Sequence, residues 1–73
     1  MNLATCTHRA MVRILDVGLG GHVGLRLSEL GLRPGALVEV THDVRSQGRV
    51  VAVGAERFAL DLETCSGIRV EVA

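Results

Sequence analysis

Seventy-three residues carry eight arginines against eight acids and no lysine, for a formal net charge of zero, and 48% of the chain is apolar. That length suits one domain with one small core and excludes a large enzyme, while the balanced charge leaves no long-range field to hold nucleic acid or an anionic membrane surface. The apolar material is aliphatic, with eleven Val, ten Leu and two Ile beside a single aromatic, Phe58, and no apolar run approaches the roughly 20 residues of a membrane-spanning helix.

In chain order, residues 3–6 give a weak strand signal that would make a sixth strand. Residues 10–15 place Ala10, Val12 and Ile14 on one face with Arg13 opposite, the period of a half-buried strand. Gly18-Leu19-Gly20-Gly21 reads as a flexible entry loop. The pattern then changes. Between residues 22 and 30, Val23, Leu27 and Leu30 recur at i, i+4 and i+7, one stripe of a short helix. Gly31 follows where a left-handed cap would end that helix, and Pro34-Gly35 suits the second and third positions of a turn. At about nine residues the helix is too short to persist alone, so its leucines should dock on the sheet and plug one barrel end.

Strand signals resume at residues 36–44, with Ala36, Val38, Val40, His42 and Val44 expected inside. Residues 49–53 form a short β-branched run after a turn at Ser46-Gln47-Gly48. Val53-Gly54-Ala55-Glu56 reads as a tight hairpin into residues 56–62, which should bury Phe58, Leu60 and Leu62. Residues 67–72 close the chain with Ile68, Val70 and Val72 inside. Five to six such strands and one helix predict a single mainly β domain over 1–73, a small antiparallel barrel that leaves little edge exposed.

Catalytic chemistry finds no support. Gly18, Gly20 and Gly24 fall out of register with a dinucleotide fingerprint, and no lysine exists to serve a phosphate loop. Asp16, Asp43, Asp61 and Glu63 are not spaced as an acid–base pair, and Ser28 and Ser66 lack a nucleophile's context. Arg26 and Glu29, three apart on the helix, would form a surface pair contributing about 0.2–0.5 kcal/mol. Cys6 and His8 would share a face of a strand, as half of a divalent-metal site does, but the other candidate ligands are scattered. No resident cofactor is expected beyond an adventitious or regulatory divalent metal. The N-terminus shows no basic-then-apolar secretion signal, so both cysteines, Cys6 and Cys65, should be reduced in a cytoplasmic protein. What remains is a binding module, non-enzymatic, with Leu19, Leu25 and Leu32 off the helical stripe and Arg26 and Arg33 beside them as a candidate partner surface; the alternative is that Leu25 and, above all, Leu32 complete the barrel plug.

The block Arg26-Leu27-Ser28-Glu29-Leu30-Gly31-Leu32-Arg33-Pro34-Gly35 resembles the R-L-x-E-L-G-L-x-P-G segment of the FeoA family, ferrous-iron transport protein A. Val51-Ala52-Val53-Gly54 with Phe58-Ala59-Leu60 looks like that family's hairpin, Ile68-Arg69-Val70 its closing strand, and Ala10-Met11-Val12-Arg13-Ile14 the strand before its helix. The chain departs from the pattern at Arg49, where the family often has proline, at Cys65, where it usually has alanine, and around Cys6 and His8. The resemblance implies a Src-homology-3-like barrel and a cytoplasmic accessory of ferrous-iron uptake that contacts the cytosolic portion of the FeoB membrane transporter, without nucleic acid or membrane insertion. Within the matched block, Leu27, Leu30, Gly31, Pro34 and Gly35 read as architecture. An alternative is a stand-alone copy of the barrel appended to DtxR-type metal-dependent repressors, and a third is direct divalent-metal binding. An open strand edge or the leucine patch could also support a homo-oligomer.

Overall fold

The computed structural model describes residues 1–44 and 47–73. Its elements are β1 (Met11–Val17), α1 (Gly21–Glu29), β2 (Leu37–Asp43), β3 (Arg49–Val53), β4 (Glu56–Leu60), α2 (Leu62–Ser66) and β5 (Ile68–Val72). The strands form one antiparallel sheet in the order β4-β3-β2-β1-β5. Val12 and Ile14 of β1, Val38 and Val40 of β2, Val51 of β3, and Ile68 and Val70 of β5 are buried in one cluster, and the half-buried Phe58 and Leu60 of β4 pack against it. Five strands can converge on one core only if the sheet curls, and the near-equal extents of 27 × 25 × 23 Å agree. This is the expected Src-homology-3-like barrel.

The local signals after α1 fold as their chemistry dictates. Gly31 has φ +94°, a conformation that costs a Cβ-bearing residue about 1–2 kcal/mol. With that bend, the Gly31 N–H donates to the Ser28 carbonyl at 3.0 Å and the Leu32 N–H to the Leu27 carbonyl at 2.9 Å, the paired bonds of a Schellman cap. The cap carries Leu32 back onto Leu27, and both are buried. Two residues on, Gly35 has φ +91° and the Ala36 N–H reaches the Arg33 carbonyl at 3.0 Å, so Pro34-Gly35 forms the expected corner into β2.

Four expectations are corrected. Residues 3–6 are not a strand: a single bridge joins Asn2 to Arg69, after which the Asn2 side chain accepts from the Ala4 and Thr5 N–H groups at 2.8 and 3.1 Å and turns the chain. His42 and Val44 are exposed, because a bulge between Val40 and His42 adds Thr41 to β2 and pairs His42 with the outward Val50. Strand β4 stops at Leu60, since the Asp61 carboxylate accepts from the Thr64 N–H at 2.7 Å and starts α2, leaving Leu62 at the surface. Val72 stands exposed at the end of β5. Of the turn expected at 46–48, Ser46 lies outside the described residues, and the Gly48 carbonyl accepts from the Val44 N–H at 2.9 Å.

Candidate functional site: a groove between a helix and an open strand edge

Helix α1 does not lie flat on the barrel. Only Leu27 of its stripe is fully buried; Leu30 is half-buried and Val23 is half-exposed. The residue expected as the first rung of the core-facing stripe therefore faces a groove of about 580 Å³ between α1 and β4. Val23, Arg26, Leu27 and Leu30 form its helical wall. The opposite wall is Arg57, Phe58, Ala59 and Leu60 of β4, and Asp61 and Thr64 close the end at α2.

The groove mixes an apolar floor with cations at its rim. Ion pairs among the described residues join Arg13 to Glu71, Arg49 to Asp43 and Arg69 to Asp16, none of which uses Arg26 or Arg57. Asp61 is the one acid lining the groove, and its carboxyl is engaged: hydrogen bonds from the Thr64 hydroxyl and N–H hold it below the usual carboxylate range.

The candidate partner residues separate into three groups. Leu25 is 61% exposed and shares α1 with exposed Arg26, and Arg33 is exposed at the corner after the helix. Leu19 is half-buried and packs against Gly67, where a Cβ would stand 2.8 Å from its side-chain carbons. Leu32 is fully buried, which corrects its place on an exposed surface: the Schellman cap turns it inward. Arg57, Phe58 and Thr64, which line the groove, escape a reading confined to the helical segment, and only the alternation of β4 hints at Phe58.

Cys6 and His8 do not form half of a metal site. Their segment is a turn rather than a strand, so the two-residue spacing no longer puts both on one face. Cys6 is 2% exposed, whereas His8 is at the surface with its Nε2 2.8 Å from the Thr41 carbonyl. Burial pushes the Cys6 thiol up, partly offset by the Arg49 guanidinium 3.5 Å from Sγ, and a protonated thiol is a poor ligand. Cys65, also buried and free, is raised by the same cause. Among the described residues no three His, Cys, Asp or Glu side chains come together to hold a metal ion.

Arg49, 8% exposed, is the buried charge of the molecule's described residues. Its Nη1 donates to the Leu3 carbonyl at 3.0 Å and to the Cys6 carbonyl, and its Nη2 lies 3.4 Å from the Asp43 carboxylate. The Leu3 N–H in turn donates to the Ile68 carbonyl at 3.0 Å and the Val70 N–H to the Met1 carbonyl at 2.9 Å. One guanidinium thus straps the N-terminal segment across the outer edge of β5.

A model of the FeoA domain matches residues 1–72. The chain belongs to the FeoA family. Among solved structures, FeoA of Stenotrophomonas maltophilia complexed with zinc, described as an SH3 domain protein, is 26% identical with a TM-score of 0.84 and 97% of this chain covered against 89% of that one. Iron(II) transport protein A of Clostridium thermocellum superposes at a TM-score of 0.89 with 23% identity over 99% of this chain, which spans only 45% of that protein. T. acidophilum IdeR has the same fold at a TM-score of 0.85 and 18% identity, with 34% of its chain covered. Among curated proteins, none matches the sequence. The family is one associated with ferrous-iron transport, and no helix among the described residues of this FeoA-family chain is long and apolar enough to cross a membrane.

Proposed function

We propose that this FeoA-family chain is a cytoplasmic accessory of ferrous-iron uptake that acts by binding, not by catalysis, on the cytosolic portion of a FeoB-type membrane transporter. The observation that carries the reading is the family match over residues 1–72. The surface supports it: an exposed Leu25 beside Arg26 and Arg33, and next to them a groove with an apolar floor and two arginines that have no acid partner among the described residues, is the composition of a protein-binding patch and not of a reaction centre. The barrel itself serves as a rigid frame for that patch.

The test is binding of the purified chain to the cytosolic portion of the cognate transporter, with and without guanine nucleotide. A saturable complex that Leu25→Ser weakens at least about tenfold, with folding intact, is the expected result. Absence of any complex in either nucleotide state overturns the reading.

A further inference from the structure

The two borders of the sheet are β4 and β5. The β5 border is already occupied, since Met1 and Leu3 exchange backbone hydrogen bonds with Val70 and Ile68. Among the described residues, nothing occupies the β4 border. Strands β3 and β4 meet at a two-residue turn, with Val53 opposite Glu56, then Ala52 opposite Arg57, Val51 opposite Phe58 and Val50 opposite Ala59. In a two-residue hairpin the closing pair exchanges hydrogen bonds, and bonded and non-bonded pairs then alternate. Val53/Glu56 and Val51/Phe58 are therefore bonded pairs. The N–H and C=O groups of Arg57 and Ala59 point away from β3, and among the described residues no loop or helix hydrogen bond reaches them.

Those unpaired backbone groups lie on the wall of the groove described above. We infer that the groove between α1 and β4 binds an extended, acidic–apolar segment of a partner protein, added to the sheet as a strand beside β4. The inference deepens the reading of the chain as a binding module and rests on it for the existence of a protein partner. The added strand takes its affinity from backbone hydrogen bonds to Arg57 and Ala59 and its selectivity from alternate side chains. Side chains on the Phe58 face enter the apolar floor of Val23, Leu27 and Leu30. Those on the opposite face stand against Arg57, where an acid directly across the ladder is favourable and a base is not. Arg26, across the groove on α1, adds a second cation with no acid partner among the described residues. The charge pattern also argues against a second copy of this chain as the occupant. Two β4 borders meeting across a two-fold axis would bring two copies of Arg26 and of Arg57 into one groove.

The experiment titrates the labelled full chain with two capped peptides, acetyl-Glu-Val-Glu-Val-Thr-amide and its counterpart with lysine for glutamate, to about 1 mM, followed by amide resonances and hydrogen exchange. The acidic peptide should shift the Arg57 and Ala59 amides and slow their exchange at least about tenfold, the lysine peptide should do neither, and the double variant Arg26→Glu, Arg57→Glu should reverse the preference. An acidic peptide N-methylated at its central residues should fail to bind. The inference is overturned if the acidic peptide leaves both amides unchanged, if both peptides bind alike, or if the free chain sediments as a dimer in which Arg57 and Ala59 are already protected. If the transporter fragment binds while the peptide does not, the groove loses its role and the binding-module reading stands; if the fragment also fails, both fall.

Discussion

The two borders of this barrel are treated in opposite ways. At β5, the first three residues lie along the strand, and Arg49, reaching through the core from β3, fixes the carbonyls of Leu3 and Cys6 behind them. At β4, no segment among the described residues hydrogen-bonds to the outer backbone, and α1 stands across a groove instead of against it. An uncovered edge is an invitation to pairing that folded proteins guard with charge, and Arg57 supplies it here. The contrast teaches that the covering of one edge is built into the core, while the other is left as accessible surface.

The sharpest way to break the β4 side is to remove what holds α1. Leu27 is the buried residue of that helix, so Leu27→Ala should lower the unfolding free energy by about 2–5 kcal/mol, read by denaturant titration. The matching experiment on the β5 side is Arg49→Met, which keeps most of the volume but strands two buried carbonyls. It should cost on the order of 2 kcal/mol, and hydrogen exchange should rise selectively at the Leu3 and Val70 amides while the β2–β3 ladder keeps its protection. Uniform loss of protection would show that Arg49 does not act on the edge.

Gly31→Val tests the joint between helix and barrel. A Cβ at Gly31 would lie 3.4 Å from a Val53 methyl, and the φ of +94° is unfavourable for a branched residue, so destabilisation of about 1–2 kcal/mol is expected from thermal unfolding. An unchanged melting temperature would remove the cap from the account.

The smallest effect is pH-dependent and belongs to the far end of the groove. Asp61 caps α2 with a carboxyl held below its ordinary value by Thr64. A group whose folded pKa is depressed stabilises the fold above its unfolded value and loses that contribution as pH falls through the folded one. The Thr64 amide should therefore keep its protection at neutral pH and through the ordinary carboxylate range and lose it only as pH falls below that range, whereas Asp61→Asn should show a flat profile over the same interval.

What the sequence revealed follows the reach of its signals. Gly31, Pro34 and Gly35 act through their own backbone preferences, so the cap and corner could be read within a ten-residue window. Leu27 and the inward Val and Ile of β1, β2 and β5 were legible as periodicity. Leu32 was ambiguous because its fate depends on the hydrogen bond to Leu27, which becomes apparent only once the cap forms. The Asp61–Thr64 capping signal was present but was overridden by the alternation of β4 running into it. The N-terminal strap was not legible at all: an arginine in a β-branched run reads as solvent-facing, and its partners lie 46 and 43 residues away.

The groove was missed for a related reason. Its two walls come from α1 and β4, and nothing local links Val23 or Arg26 to Arg57. Only the register of the β3–β4 hairpin shows which backbone groups of β4 face away from the sheet.

Thr41 illustrates how a single inserted residue apportions the surface. Were Thr41 paired in a regular ladder instead of bulged, strict alternation would swing the His42 imidazole and the Val44 side chain toward the interior, where the ring would meet Val and Ile instead of water. The bulge lets β2 run on past the core while keeping a titratable ring outdoors. Deleting Thr41 would leave His42 opposite Val50 and still solvated, whereas forcing Thr41 into the ladder would slip the register by one and exchange a solvated histidine for a trapped one.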